Sequence, residues 1–253
     1  LAKVIAIVNQ KGGVGKTTTA VNVGAGLAKA DKRVLLIDLD PQGSLTTSFA
    51  FNVSRDDKTA YELLKGTRKA EEVIRSLPNG CDLIPGDLRL TGIESASETG
   101  RNQLLKQALE PITSKYDYIL IDCSPSLGVL ALNALAACAE VYIPLEPEYL
   151  ALAGIARLMQ TIKAAKARIN PDIKVTGVLI TKYDRRKKLT GAVEAKLQEL
   201  FPEAVFATRI RNNIALAEAP TEGKDVFAYA PRSNGAKDYQ ALTNEILEKE
   251  GKK

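Results

Sequence analysis

Short apolar runs rich in β-branched residues recur along this chain, at Val4 to Val8, Val34 to Ile37, Tyr118 to Ile121, Val141 to Ile143 and Val175 to Ile180. Runs this short and this continuous suit strands buried on both faces, because neither side of such a strand meets water. Between them lie segments with apolar residues at helical spacing, such as Ala20, Val23 and Leu27, or Leu152, Ile155, Met159 and Ile162. Strands that alternate with helices predict a mostly parallel central sheet with helices on both faces, since each parallel step needs a crossover long enough to hold a helix. The expected fold class is α/β. Ligands of such sheets sit beyond the carboxyl ends of the strands. That rule singles out the loops Asn9 to Thr18, Asp38 to Gln42, Asp122 to Ser126, Pro144 to Tyr149 and Lys182 to Lys188. The stretch Asn52 to Thr99 is less regular; it is expected to supply helices and loops beside the site, with one short apolar segment at Leu83 to Pro85.

With 253 residues, 45% of them hydrophobic, the chain can bury the core of one domain, and no repeat or low-complexity linker marks a second. One domain over residues 1–253 is expected, without an N-terminal helix-turn-helix extension. There is no histidine, so proton transfer or metal ligation falls to Asp, Glu, Lys, Tyr, Cys or water. Cys81, Cys123 and Cys138 form no CxxC pair, which points away from a disulfide framework or a zinc site and toward a reducing cytoplasm. Cys123 has no second ligand nearby and reads as a small buried residue. No apolar run approaches the roughly 20 residues that span a bilayer, and no secretory leader is read. The net charge of +5 is compatible with a polyanionic partner but does not argue for one by itself.

The most specific stretch is VIAIVNQKGGVGKTTTAVNVGAGL, a glycine-rich turn between a strand and a helix. Gly12, Gly13, Val14 and Gly15 form a turn whose successive N–H groups can converge on phosphate oxygens. Lys16 supplies a charge to the β and γ phosphates. Thr17 offers its hydroxyl to Mg²⁺, and Thr18 continues the first helical turn, whose dipole favours the anion. The general Walker A pattern asks for glycine where Gln10 stands; the extra Lys11 matches the deviant form of that loop.

Two apolar strands end in aspartate, in LLIDLDPQG and YILIDCSPSLG. Each puts a carboxylate at the sheet edge, where it could hold Mg²⁺ through water or orient an attacking water; one such aspartate alone could equally be a turn former. The run Asp184, Arg185, Arg186, Lys187, Lys188 is the densest basic patch, fit either for DNA phosphates or for a solvated loop. With no tryptophan, any DNA contact should be directed at the backbone. The segment Gly235 to Glu250 reads as a docking helix with Tyr239, Leu242 and Ile246 on one face, and its mixed charge does not suit a membrane-targeting helix.

Taken in order, KGGVGKTTT at 11 to 19, LIDLDPQGS at 37 to 44, YDYILIDCSPSLG at 116 to 128, LEPEYLALAGIARL at 145 to 158, TKYDRR at 181 to 186 and ALAEAPTEGKDVFAYAPRSNGAKDY at 215 to 239 resemble the ParA/Soj family of deviant Walker A partitioning ATPases over nearly the whole chain. The resemblance implies a P-loop NTPase domain that uses ATP and Mg²⁺, with weak intrinsic hydrolysis, and forms a homodimer when ATP-bound. It implies that Lys11 reaches the nucleotide of the opposite subunit, that Lys16, Thr17 and Thr18 serve their own subunit, that Asp40 is needed for hydrolysis, and that Asp38 and Asp122 lie near the metal. Arg211 and Asn213 align with residues near the adenine. Expected partners are non-specific double-stranded DNA and a ParB-type stimulating protein, with a nucleoid-associated location and no membrane. A MinD-like membrane-cycling ATPase, a positioning ATPase for a protein cargo and a non-catalytic nucleotide-binding scaffold are the alternatives. Two departures stand out. Ser124 replaces the first proline of the family's DxPP, and Asn212 and Ala215 stand where DNA-binding arginines are usual, so Arg185, Arg186, Lys187, Lys188 and Arg209 become the DNA candidates.

Overall fold

Parallel β-branched segments build the centre of the molecule. The computed structural model describes residues 1–54, 56–95, 101–148 and 151–251, without the side chains of Arg101, Lys188 and Leu189. An eight-stranded sheet contains β1 (Lys3–Ile7), β2 (Val34–Leu39), β3 (Arg75–Ser76), β4 (Asp82–Ile84), β5 (Tyr118–Cys123), β6 (Glu140–Leu145), β7 (Lys174–Tyr183) and β8 (Val205–Arg211), in the spatial order β3-β4-β2-β5-β1-β6-β7-β8. Every neighbouring pair is parallel except β3 with β4. The register sets Ile7 opposite Asp122 across β1 and β5, and Asp38 opposite Asp122 across β2 and β5.

Side chains alternate between the two faces of the sheet, as the period of two requires. Ala6, Ile37, Ile121 and Ile143 belong to one apolar cluster with Leu130 and Leu135 of the helix Val129–Ala137 and Leu158 and Ile162 of the helix Ala151–Arg168. Ile5, Ile7, Leu36 and Leu120 belong to another, with Val23 and Leu27 of α1 (Lys16–Lys29) and Tyr239, Leu242 and Ile246 of the last helix, Asn234–Gly251. Toward the β8 edge, Val178 and Ile180 pack with Val193 and Leu197 of the helix Lys188–Leu200. No helix among the described residues is long and apolar enough to cross a membrane.

Three strands of the sheet escape the periodicity reading, β3 because two residues cannot show a pattern. The apolar segment near Leu83 lies in β4, three residues paired parallel with β2, too short to declare a strand by pattern. In β8 only Phe206 and Ile210 are buried, because an edge strand is covered less completely than a central one. The last helix docks within the chain itself: Tyr239 Oη lies 3.2 Å from Thr19 Oγ1, and a Cβ at Gly26 would meet Thr243 Oγ1 at 2.2 Å. Glycine at 26 is thus what lets the two helices approach. Gly26→Ala is expected to lower stability by about 1–3 kcal/mol through overpacking, read as a reduced denaturant midpoint with an unchanged slope.

Candidate functional site

The turn that joins β1 to α1 takes its shape from two glycines with positive φ, Gly13 at 72° and Gly15 at 89°, a region costly for residues that carry a Cβ. Three side-chain contacts hold the turn in place. Asn9 Nδ2 donates to the Pro144 carbonyl at 2.7 Å, and its Oδ1 accepts from the Lys11 amide at 3.0 Å. On the other side, the Thr181 hydroxyl donates to the carbonyl of buried Val14 at 2.8 Å. The helix then starts at Lys16 with no side-chain cap and no acidic residue in its first turn. Its leading amides and the positive end of its dipole are left for an anion.

A cavity of about 490 Å³ opens over this turn. Gly12, Gly13, Val14, Gly15, Lys16, Thr17 and Thr18 line one side, with Asp40, Thr181, Arg211, Asn213 and Tyr239 around the rest. Lys16 is buried and donates to the Lys11 carbonyl at 3.2 Å. Burial pushes its pKa down, opposed mainly by the field of Asp122. Lys11, in contrast, is half exposed and forms an ion pair with Glu148, which holds the Glu148 carboxyl below its usual range. Lys182, next to Thr181 and in the left-handed region at φ 48°, pairs with Glu146 at 3.3 Å.

The aspartates play different structural parts. Thr17 Oγ1 donates to Asp122 Oδ2 at 2.6 Å, while Asp122 Oδ1 is buried without a hydrogen-bond partner. Burial, then the neighbouring Asp38, raises the Asp122 pKa well above its ordinary value. Asp38 is fully buried, and burial raises its pKa to about 6 against hydrogen bonds from Thr46 and Asp40. Its Oδ2 accepts from the Thr46 amide at 2.8 Å and hydroxyl at 2.6 Å, and its Oδ1 from the Asp40 amide at 3.1 Å. Asp38 therefore fixes the loop that presents Asp40, whose own Oδ1 accepts from the Gln42 amide at 3.0 Å beside the cavity. Cys123 is buried and its thiol is pushed up by desolvation. Among the described residues no group of three or more Cys, Asp or Glu forms a ready metal cage.

Arg211 is held by Asp238, with its Nη2 at 2.6 Å from Oδ1, and Asn213 Oδ1 accepts from the Ala215 amide at 3.1 Å. The basic candidates separate sharply. Arg186 is paired with Asp184 through Nε at 2.9 Å and Nη2 at 2.8 Å. Arg209 is bound to Glu194 and to the carbonyls of Phe206, Ala207 and Thr208. Arg185 and Lys187 are exposed on the loop after β7 and make no ion pair among the described residues; the Lys188 side chain lies outside them. Asn9, Thr46 and Thr181 had no reading of their own in the sequence: Asn9 and Thr181 act through contacts 135 and 167 residues away, and Thr46 through a turn that folds back on Asp38.

A strand, a glycine turn and a helix start that close on a cavity with a buried lysine, a threonine hydroxyl and a strand-end aspartate define a P-loop nucleotide-binding protein. A family model described as an AAA domain matches residues 2–175. The sporulation initiation inhibitor protein Soj of Bacillus subtilis is 42% identical over 249 residues, covering 97% of this chain and 98% of the relative. The chromosome-partitioning ATPase Soj of Treponema pallidum is 41% identical over 256 residues, covering the whole of both chains. Among solved structures, a Mycobacterium smegmatis protein described as cobyrinic acid a,c-diamide synthase, with bound ATP analogue and magnesium, superposes with a TM-score of 0.85 at 34% identity, over 98% of this chain and 95% of that one. The chain belongs to the ParA/Soj family of P-loop partitioning ATPases.

Asn9→Ala removes one side chain that ties the turn both to β1 and to the Pro144 carbonyl. A loss of about 1–3 kcal/mol in stability is expected from the buried group left unpaired. Nucleotide affinity should fall as well, measured by titration with a fluorescent ADP, whereas Arg185→Ala should leave both unchanged.

Proposed function

We propose that this chain is an ATP-driven partition switch: a homodimer closed around ATP binds double-stranded DNA without sequence preference, and hydrolysis stimulated by a ParB-type protein releases it. The observation that carries this reading is the contrast between the two lysines of the turn. Lys16 is buried and turned into the chain's own cavity, whereas Lys11 is exposed at the mouth and does not line that cavity. A cation in that position is free to meet the nucleotide of a second subunit once it leaves Glu148.

Within one subunit, the converging amides of the turn and Lys16 neutralise the phosphates, and Arg211 and Asn213 border the end of the cavity where the base would lie. The unpartnered Asp122 Oδ1 and the hydroxyl of Thr17 suit a hard cation that keeps most of its water shell and takes phosphate oxygens as further ligands, as Mg²⁺ does. Mg²⁺ would be held by Thr17 and, through water, by Asp122, and it would supply charge neutralisation of the β and γ phosphates. Asp38 acts through Asp40 by holding that residue's amide. Asp40 orients the attacking water and accepts its proton while the bond from the γ phosphorus to the bridging oxygen breaks and ADP leaves. Slow intrinsic turnover fits a site whose second lysine waits for another subunit.

On the DNA side, Arg185 and Lys187 are the candidates whose charge is not already spent on the protein; Arg186 and Arg209 are held by Asp184 and Glu194. A membrane-cycling reading is disfavoured because the apolar face of the last helix is already used against α1 and the sheet. The synthase description belongs to the Mycobacterium smegmatis protein at 34% identity, while the Treponema pallidum relative, at 41%, is named a chromosome-partitioning ATPase. A cytoplasmic, nucleoid-associated protein is the corresponding location.

Three variants test the switch. Lys16→Ala should abolish ATP-dependent DNA binding. Asp40→Ala should keep the ATP dimer and lose roughly 10²-fold or more in turnover. Lys11→Ala should weaken the dimer, followed by sedimentation velocity, more than it weakens nucleotide binding by the monomer. DNA affinity that is equal with ATP, with ADP and in Lys16→Ala would remove the switch. Replacing both Arg185 and Lys187 by alanine should reduce the slope of log affinity against log salt by about 1–2. ATP-dependent pelleting with liposomes would favour the membrane reading instead.

A further inference from the structure

Two oxygen atoms at the carboxyl end of β5 are buried without any hydrogen-bond partner, Asp122 Oδ1 and Ser124 Oγ. Ser124 is only 6% exposed and stands directly before Pro125, which lines the nucleotide cavity. Cys123, between them, packs into the apolar cluster on the opposite face of the sheet, while Asp122 is tied to Thr17 at the start of α1. Ser124 follows the last residue of β5 and precedes a proline, which favours extended backbone at its position, and an extended chain returns its side chains to one face every second residue, the side of Asp122. A hydroxyl desolvated without a partner is unfavourable, and buried polar groups left unsatisfied in this way call for a bound water or ion. Ser124 is moreover this chain's departure from the DxPP pattern, in which a proline at that position has no hydroxyl to offer.

We propose that Asp122 Oδ1 and Ser124 Oγ together seat one water molecule of the magnesium shell, and that Ser124 is a positioning residue this chain adds to its nucleotide site. A water bound to a cation directs its oxygen at the metal and both hydrogens away from it. The carboxylate oxygen accepts one hydrogen and the serine oxygen the other, so the two acceptors fix the water's orientation. No bond to the serine is made or broken. The seat rests on the magnesium–nucleotide reading of the same site, and it adds a determinant of how tightly the cation is held rather than of how the nucleotide is bound.

The test titrates Mg²⁺ into the full chain at saturating ADP and follows the thermal midpoint, together with fluorescent ADP binding in EDTA. Ser124→Ala is expected to raise the Mg²⁺ concentration needed for half of the stabilisation about tenfold, the lower end of the effect of removing a partner in a metal's outer shell. Affinity for ADP in EDTA should stay unchanged. The nucleotide-free midpoint of the variant should be equal or higher, because an unsatisfied hydroxyl has been removed. Ser124→Thr, which keeps the hydroxyl, should restore the wild-type Mg²⁺ requirement. An unchanged Mg²⁺ requirement in Ser124→Ala overturns the seat, as does an equal loss in Ser124→Thr. A wild-type chain that binds no ADP at all would instead overturn the nucleotide reading beneath it.

Discussion

The parallel pairing of β2 and β5 sets Asp38 directly beside Asp122 at the buried carboxyl edge of the sheet, and the rest of the site is arranged around that juxtaposition. Carboxylates in a desolvated place are costly to ionise, so burial raises both, Asp38 to about 6, and the neighbouring Asp38 raises Asp122 further. The fold answers each in its own way. Asp38 is satisfied by the amides of Asp40 and Thr46 and by the Thr46 hydroxyl, and so becomes the post from which Asp40 is presented. Asp122 takes one hydrogen bond from Thr17 and lies within the field of Lys16, and its second oxygen is buried without a partner.

The turn itself is fixed from three directions, by Asn9 from β1, by Thr181 from β7 and by the helix that starts at Lys16. Preorganisation of this kind matters because phosphoryl transfer asks the protein mainly for position and charge. The same rigidity divides the two lysines. With the backbone held, Lys16 lies inward, where its charge is desolvated, and Lys11 lies outward, where Glu148 takes it. Glu146 takes Lys182 in the same way, so the loop after β6 neutralises two cations at the rim of the cavity. A second subunit that offers phosphates would compete with those carboxylates for the same charges.

The basic residues show how far composition misleads. Five positions look alike in the sequence, yet Arg209 is locked against Glu194 and three carbonyls and Arg186 lies along Asp184, while Arg185 and Lys187 keep their charge for solvent or a polyanion. Which of two adjacent cations is available is decided by what happens to face it, and facing residues come from elsewhere in the fold.

The strand-and-helix alternation, the phosphate turn with its glycines, Lys16 and Thr17, the two strand-end aspartates and the family were all legible in the sequence, because each rests on neighbours along the chain: an apolar run, a turn, a helix start. The strands β3, β4 and β8 were not, since two or three residues cannot show a period and the edge strand β8 is only partly buried. Nor could the sequence assign Asn9, Thr46 and Thr181 to the site, separate the scaffold role of Asp38 from the unpaired oxygen of Asp122, or tell that Ser124 ends with its hydroxyl unpaired. Those outcomes depend on strand register and on contacts across as many as 167 residues. Local spacing determines which chemical groups the chain owns. Only the tertiary structure decides which of them meet, because burial and hydrogen-bond partners are properties of the packed sheet and not of the chain order.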